Sequence, residues 1–168
     1  KRLIQLFARY LADAPDVCLL AIGGYGRAEL CPCSDIDLMF LSQNNGGPDE
    51  DKAIEQILYT LWDEGLKIGY CVRNIADCAE LSIKDSKILT SLLDARPIAG
   101  NTQLAGQLAQ TLQDILTPDA KKRFVADKLS ERDERHKRYG DTRFVLEPNI
   151  KEGKGGLRDF QTLMWIAK

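Results

Sequence analysis

The stretch "GGYGRAELCPCSDIDLMFL" (residues 23–41) sets a glycine pair, an arginine and two aspartates one residue apart within nineteen positions. In a β-strand, residues i and i+2 point to the same side, so Asp35 and Asp37 project together. Two carboxylates that close repel, and burying them unpaired is costly. A bridging divalent cation removes the conflict, and Mg²⁺ favours one or two carboxylates plus substrate phosphate oxygens. Upstream, Gly23 and Gly24 carry no side chains, so their backbone N–H groups can approach a phosphate chain closely. A helix N-terminus starting there would add a favourable dipole. Arg27 brings a fork of donors suited to phosphate, and Ser34 stands beside the first aspartate. The bland alternative is a glycine turn followed by a strand entry where Ser34 and Asp35 merely cap a turn. The spacing strand, GG, short helix, DxD, strand is more specific than either half.

The elements that must position these residues follow from periodicity. Leu3, Ile4, Phe7 and Leu11 share a helix face within 2–12. "VCLLAI" (17–22) and "IDLMFL" (36–41) read as buried strands, and "KIGYCVRN" (67–74) as a third. Between them, residues 52–64 place Ile54, Ile57, Leu58 and Leu61 on one face, with Gly65 as terminator. From Ile75 to about Tyr139 the pattern is mainly helical, with a Leu104, Leu108, Leu112, Ile115 stripe and a Thr117-Pro118 helix start. The charged run "KLSERDERHKRY" (128–139) reads as a solvated helix face, and His136 within it as a solvated histidine. "RFVLE" (143–147) is a further strand candidate, and "PNIKEGKGG" a glycine-rich loop before a final helix from about Leu157.

Composition bounds the rest. The 168 residues are 44% hydrophobic and 29% charged, which fits a folded chain and argues against disorder. A net charge of −2 offers no general basic field for nucleic acid. No apolar stretch approaches the roughly 20 residues of a membrane helix. The five cysteines form no CxxC pair, and Cys31-Pro32-Cys33 lacks partners for a tetrahedral metal site. Reduced thiols in a cytoplasmic protein are the expectation. The chain starts without Met and stops within "LMWIAK", as a piece of a longer protein would.

Two other phosphate motifs fail. A dinucleotide fingerprint needs a third glycine where Glu29 stands, and a full crossover helix does not fit before the aspartates. A P-loop needs a Ser or Thr after its lysine, where Gly155 follows Lys154.

"GGYGRAELCPCSDIDL" resembles the signature of the DNA polymerase β-type nucleotidyltransferases, and in its longer form that of the bacterial PII uridylyltransferase/uridylyl-removing enzymes. "TSLLDARPIAG" (90–100) and "LEPNIKEGKGGLRDFQTLMWIA" (146–167) are similar to further segments of that family. The resemblance implies an α+β fold, a small mixed sheet flanked by helices. Residues 1–100 would form the nucleotidyltransferase core. Residues 101–168 would form a helical segment with a closing strand and a glycine-rich loop, opening a following helical domain. It also implies transfer of a uridylyl group from UTP to a tyrosine of the PII signalling protein, with Asp35 and Asp37 holding Mg²⁺ and the triphosphate on the Gly23-Gly24 turn. Hydrolytic removal of that group would belong to a histidine-rich HD domain, and glutamine sensing to ACT domains, both absent from this chain. Two alternatives stay open. One is adenylyl transfer of the glutamine synthetase-modifying type. The other is a catalytically silent nucleotide-binding domain, which retention of both aspartates argues against.

Two departures from the family pattern stand out. Many superfamily members have Gly-Ser where this chain has Gly23-Gly24, so backbone amides would have to replace a hydroxyl. The third strand, usual home of a third carboxylate, offers Cys71 and Arg73 instead. Either the two aspartates suffice or another acid completes the site. Glu147, ending a strand-like run before Pro148, is the best-placed candidate, with Lys151 and Lys154 adding positive charge in the loop behind it. Equally, Glu147 would pair with a nearby arginine while the loop simply turns the chain.

Overall fold

The computed structural model describes all residues except 13, 31–33, 44–45, 140–146 and 148. The chain divides into two compact units, Lys1–Ile115 and Leu116–Lys168.

The first unit is built on a four-stranded mixed sheet. Its strands are β1 (Val17–Ala21), β2 (Ile36–Ser42), β3 (Ile68–Arg73) and β4 (Arg96–Gly100), in the spatial order β3-β2-β1-β4. β1 runs antiparallel to both β2 and β4, while β2 and β3 are parallel. Helices α1 (Arg2–Tyr10), α3 (Pro48–Asp63), α4 (Ile75–Lys84), α5 (Ser86–Leu93) and α6 (Thr102–Ile115) flank it, and α2 (Gly23–Gly26) is a single turn. This is the expected α+β architecture.

Alternation along β1 and β2 divides the core. Val17, Leu19, Leu38 and Phe40 pack with Leu3, Leu6 and Phe7 of α1 and Ile54, Ile57, Leu58 and Leu61 of α3. The opposite sheet face carries Cys18, Leu20, Met39 and Leu41, also buried. α6 touches β1 and β2 there, and Cys78 of α4 meets Met39 at 3.9 Å between sulfurs. Burial pushes the Cys18 and Cys78 thiols up to about 11, so both stay protonated near neutral pH. α3 begins earlier than the apolar pattern suggested, at Pro48 in its first turn, followed by Asp49, Glu50 and Asp51, acids that suit a helix start.

One strand escaped the sequence reading. β4 lies inside the region expected to be helical, and its Pro97 and Gly100 hide it from β-pattern recognition. Both are tolerated because β4 is an edge strand. α6, placed by the sequence reading beyond residue 100, lies with the first unit.

The second unit comprises α7 (Pro118–Arg138) and α8 (Leu157–Ala167), which pack on each other. The strand expected at 143–147 falls outside the described residues except for Glu147, which sits in a bend and is exposed. Among the described residues no helix is long and apolar enough to cross a membrane.

Candidate active site

The first residues of β2 and the turn after β1 meet. Ile22 donates its backbone N–H to the carbonyl of Asp37 at 3.0 Å, which brings Gly23 beside the aspartate. Asp35 is exposed just before β2, and Asp37 is half-buried inside it. Two glycines close on the Asp37 carboxylate, one on each oxygen. A Cβ at Gly23 would stand 3.2 Å from Oδ2, and one at Gly69 only 2.7 Å from Oδ1. Gly69 is the register partner of Asp37 across the parallel β2–β3 pair. Burial, and then the charge of Asp35, hold the Asp37 carboxyl above its usual value. A hard cation is the natural complement to two such oxygens. Among the described residues no group of three His, Cys, Asp or Glu side chains gathers as a ready metal cage, so the acidic site there is the aspartate pair. Ser34 is exposed beside Asp35. Cys31 and Cys33 lie outside the described residues.

The glycine turn is fastened from a distance. Arg27 donates through Nη1 to Asp94 Oδ2 at 2.6 Å and through Nε to Glu29 Oε2 at 2.9 Å. Burial works against its charge, but these bonds outweigh it and raise its pKa. The Asp94 side chain is only 1% exposed. From two residues further on, Arg96 reaches back to α2, donating through Nε to the Gly26 carbonyl at 3.1 Å and through Nη2 to that of Tyr25 at 3.0 Å. Its guanidinium also lies 5.5 Å from the Tyr25 ring centroid. The backbone closes α2 with a Schellman pattern, Ala28 N–H to the Tyr25 carbonyl and Glu29 N–H to that of Gly24, both 3.1 Å. Ala28 takes the left-handed conformation this requires, at φ 60°. A Cβ at Gly26 would stand 2.1 Å from the Asp94 carbonyl oxygen, so only glycine fits there. The fork expected to meet phosphate is thus engaged with Asp94 and Glu29. The expected dipole is also small, because α2 has four residues.

Comparison with known proteins extends these observations. Over 161 residues, 96% of its length, the chain is 48% identical to a bifunctional uridylyltransferase/uridylyl-removing enzyme of Caulobacter vibrioides. Enzymes of the same description from Cereibacter sphaeroides and Rhodospirillum rubrum are each 49% identical, over 93% and 89% of the chain. Residues 123–168 match the family model described as GlnD PII-uridylyltransferase.

Over nearly its whole length the chain is similar to part of these uridylyltransferase/uridylyl-removing enzymes. It spans about 17% of the length of the curated relatives. The match to the family model falls within the second unit, whereas the aspartate pair belongs to the first.

In that matched segment the loop before α8 folds on itself. Asn149 Oδ1 accepts from the backbone of Lys151 at 3.1 Å and of Glu152 at 2.8 Å, and Leu157 N–H bonds to the Ile150 carbonyl at 2.9 Å. Lys151 and Lys154 are exposed on this loop. Behind it stands a polar cluster. Asp159 accepts from Gly155 N–H at 2.7 Å, lies 2.9 Å from His136 Nε2, and pairs with Arg135. Glu152 adds contacts to Arg135 at 3.8 Å and Arg158 at 3.7 Å. Burial pushes the Asp159 carboxyl upward, but Gly155, His136 and Arg135 outweigh it and hold it below its usual value.

These contacts correct the reading of 128–139 as a solvated face. His136 is buried, held on Asp159, and Lys128 is 3% exposed. The Lys128 ammonium sits 5.6 Å and 5.7 Å from the Phe124 and Trp165 ring centroids, with Glu131 as ion partner at 3.0 Å. A long stem and an aromatic bed let a lysine lie inward at the start of a highly charged run.

Sequence reasoning missed Asp94, Arg96 and Gly69. The first two lie within "TSLLDARPIAG", where no local pattern marks a partner some 70 positions away. Gly69, a glycine inside a strand pattern, hinted at a close approach by another group.

Proposed function

We propose that the chain catalyses Mg²⁺-dependent transfer of a uridylyl group from UTP to a tyrosine of a PII protein, releasing pyrophosphate. The observation that carries this reading is the contact between the glycine turn and the Asp37 carboxylate, with Asp35 alongside. A triphosphate lying on the Gly23-Gly24 backbone would therefore run directly past two carboxylates.

Asp35 and Asp37 would hold the cation, and their oxygen donors fit Mg²⁺. When bound, the ion supplies neutralisation of phosphate charge and a template for the α-phosphorus. The residues of the chain do the remaining work. Backbone N–H groups of the turn bind phosphate oxygens without side-chain obstruction. The held turn fixes the distance between those donors and the aspartates, and phosphoryl-type transfer depends mainly on such positioning. The tyrosine hydroxyl attacks the α-phosphorus and gives up its proton to solvent, the bond to the bridging β-phosphate oxygen breaks, and pyrophosphate carries off the electron pair. Glu147, Lys151 and Lys154 belong to the second unit and carry no part of this reading. The reading supposes a cytoplasmic enzyme, with PII as partner and glutamine sensed by domains beyond this chain.

Transfer of label from α-³²P-UTP to purified PII, with ATP as competing donor, tests the reading. Label on PII from UTP with Mg²⁺ supports it. Label from ATP alone would move the assignment to adenylyl transfer, and none from either would leave a silent domain.

A further inference from the structure

We propose that Asp94 and Arg96 are positioning residues of the nucleotide site, a two-point lock that holds the Gly23–Arg27 turn against Asp37. This rests on the nucleotidyl-transfer reading above.

The turn cannot hold itself. α2 has four residues, of which only Gly26 is buried, and that glycine has no side chain to pack. Tyr25 contributes only partial packing against the core. Ala28 holds a left-handed conformation that costs a non-glycine residue about 1–2 kcal/mol. Such a turn keeps its shape only when its surroundings over-determine it. Beyond the β2 contact at Ile22 and the Glu29 pair, that support comes from Asp94 and Arg96. Asp94, buried at the end of α5, takes Nη1 of Arg27, and its carbonyl oxygen fills the space a Gly26 side chain would need. Arg96, at the start of β4, clamps the last two carbonyls of α2. The two arginines point in opposite directions between the same two segments, so either segment shifting breaks both sets of bonds.

The consequence is geometric. The far end of this turn is Gly23, where a Cβ would stand 3.2 Å from the Asp37 Oδ2. Loosening the turn at Gly26 and Arg27 therefore moves the phosphate-facing backbone relative to the metal-holding acids. Neither Asp94 nor Arg96 is asked to touch the nucleotide.

The test uses Asp94→Asn, Asp94→Glu and Arg96→Gln in the full chain. Arg96 is exposed, so its variant is expected to fold even should Asp94→Asn not. Two readouts are taken: hydrogen exchange of the peptide spanning 22–28 without nucleotide, and the dissociation constant of UTP with MgCl₂ by calorimetry. Arg96→Gln and Asp94→Asn are expected to speed exchange of the turn at least tenfold and weaken UTP binding at least tenfold. Asp94→Glu, which keeps the charge, is expected to recover part of both. Unchanged exchange in folded Arg96→Gln would overturn the lock. Faster exchange with wild-type UTP affinity would overturn the positioning role. A wild-type chain that binds no UTP would overturn that role too, and the wild-type titration identifies this as failure of the nucleotide reading, since the exchange data still report on the lock.

Discussion

Arg27 Nη1 lies 2.6 Å from Asp94 Oδ2, joining the glycine turn to a residue 67 positions away. The same segment returns an arginine to the turn, and its backbone leaves no room for a side chain at Gly26. Two segments that read as separate resemblances in the sequence are one structural device.

Gly26→Ala is expected to destabilise the first unit by about 1–3 kcal/mol, the usual cost of forcing atoms into a packed site. The obstacle is the Asp94 backbone carbonyl, which no side-chain rotation can relieve. Thermal unfolding measures it, and an unchanged midpoint would contradict the close approach.

Ala28→Gly should act in the opposite direction. It relieves a left-handed alanine worth about 1–2 kcal/mol, offset by the extra freedom of glycine in the unfolded chain. The net expectation is stabilisation of up to about 1 kcal/mol by denaturant titration. Destabilisation beyond about 1 kcal/mol would show that Ala28 does not hold the positive φ.

How legible was this in the sequence? Alternation and helical spacing located β1, β2 and β3 and most helices, because each such element reports its own burial locally. The i, i+2 aspartates were readable for the same reason. The lock was not, since Asp94 and Arg96 act on residues some 70 positions away and nothing local encodes that partner. β4 was hidden by its proline and glycine. His136 and Lys128 misled because a charged run looks solvated until α8 is known to lie against it.

Gly69→Ala should place a methyl carbon within 2.7 Å of Asp37 Oδ1 and displace the carboxylate. Transfer is expected to fall at least tenfold and the Mg²⁺ concentration for half-maximal rate to rise, with the melting midpoint little changed. Wild-type Mg²⁺ dependence would contradict the placement of Asp37 against β3.

Asp159 governs a pH response of the second unit. Its carboxyl is held below the unfolded value by Gly155, His136 and Arg135 acting against burial, with Glu152 and Arg158 nearby. A depressed acid contributes stability above its unfolded pKa of about 3.9 and loses it as pH falls through the folded value. Stability of this unit should therefore drop below about pH 4. Asp159→Asn should flatten that limb and cost about 1.5–3 kcal/mol at neutral pH, the range for hydrogen bonds to charged groups. An acid limb identical to wild type would contradict the cluster.

The central claim is that Asp35 and Asp37 form the metal-holding pair of a uridylyl transfer site. The most direct measurement is the initial rate of label transfer from UTP to PII by Asp37→Asn against wild type, with circular dichroism confirming the fold. Loss of a metal ligand should cost several kcal/mol of transition-state stabilisation, which is at least about a thousandfold in rate at 1.36 kcal/mol per decade. A folded Asp37→Asn chain that transfers uridylyl within tenfold of wild type would contradict it.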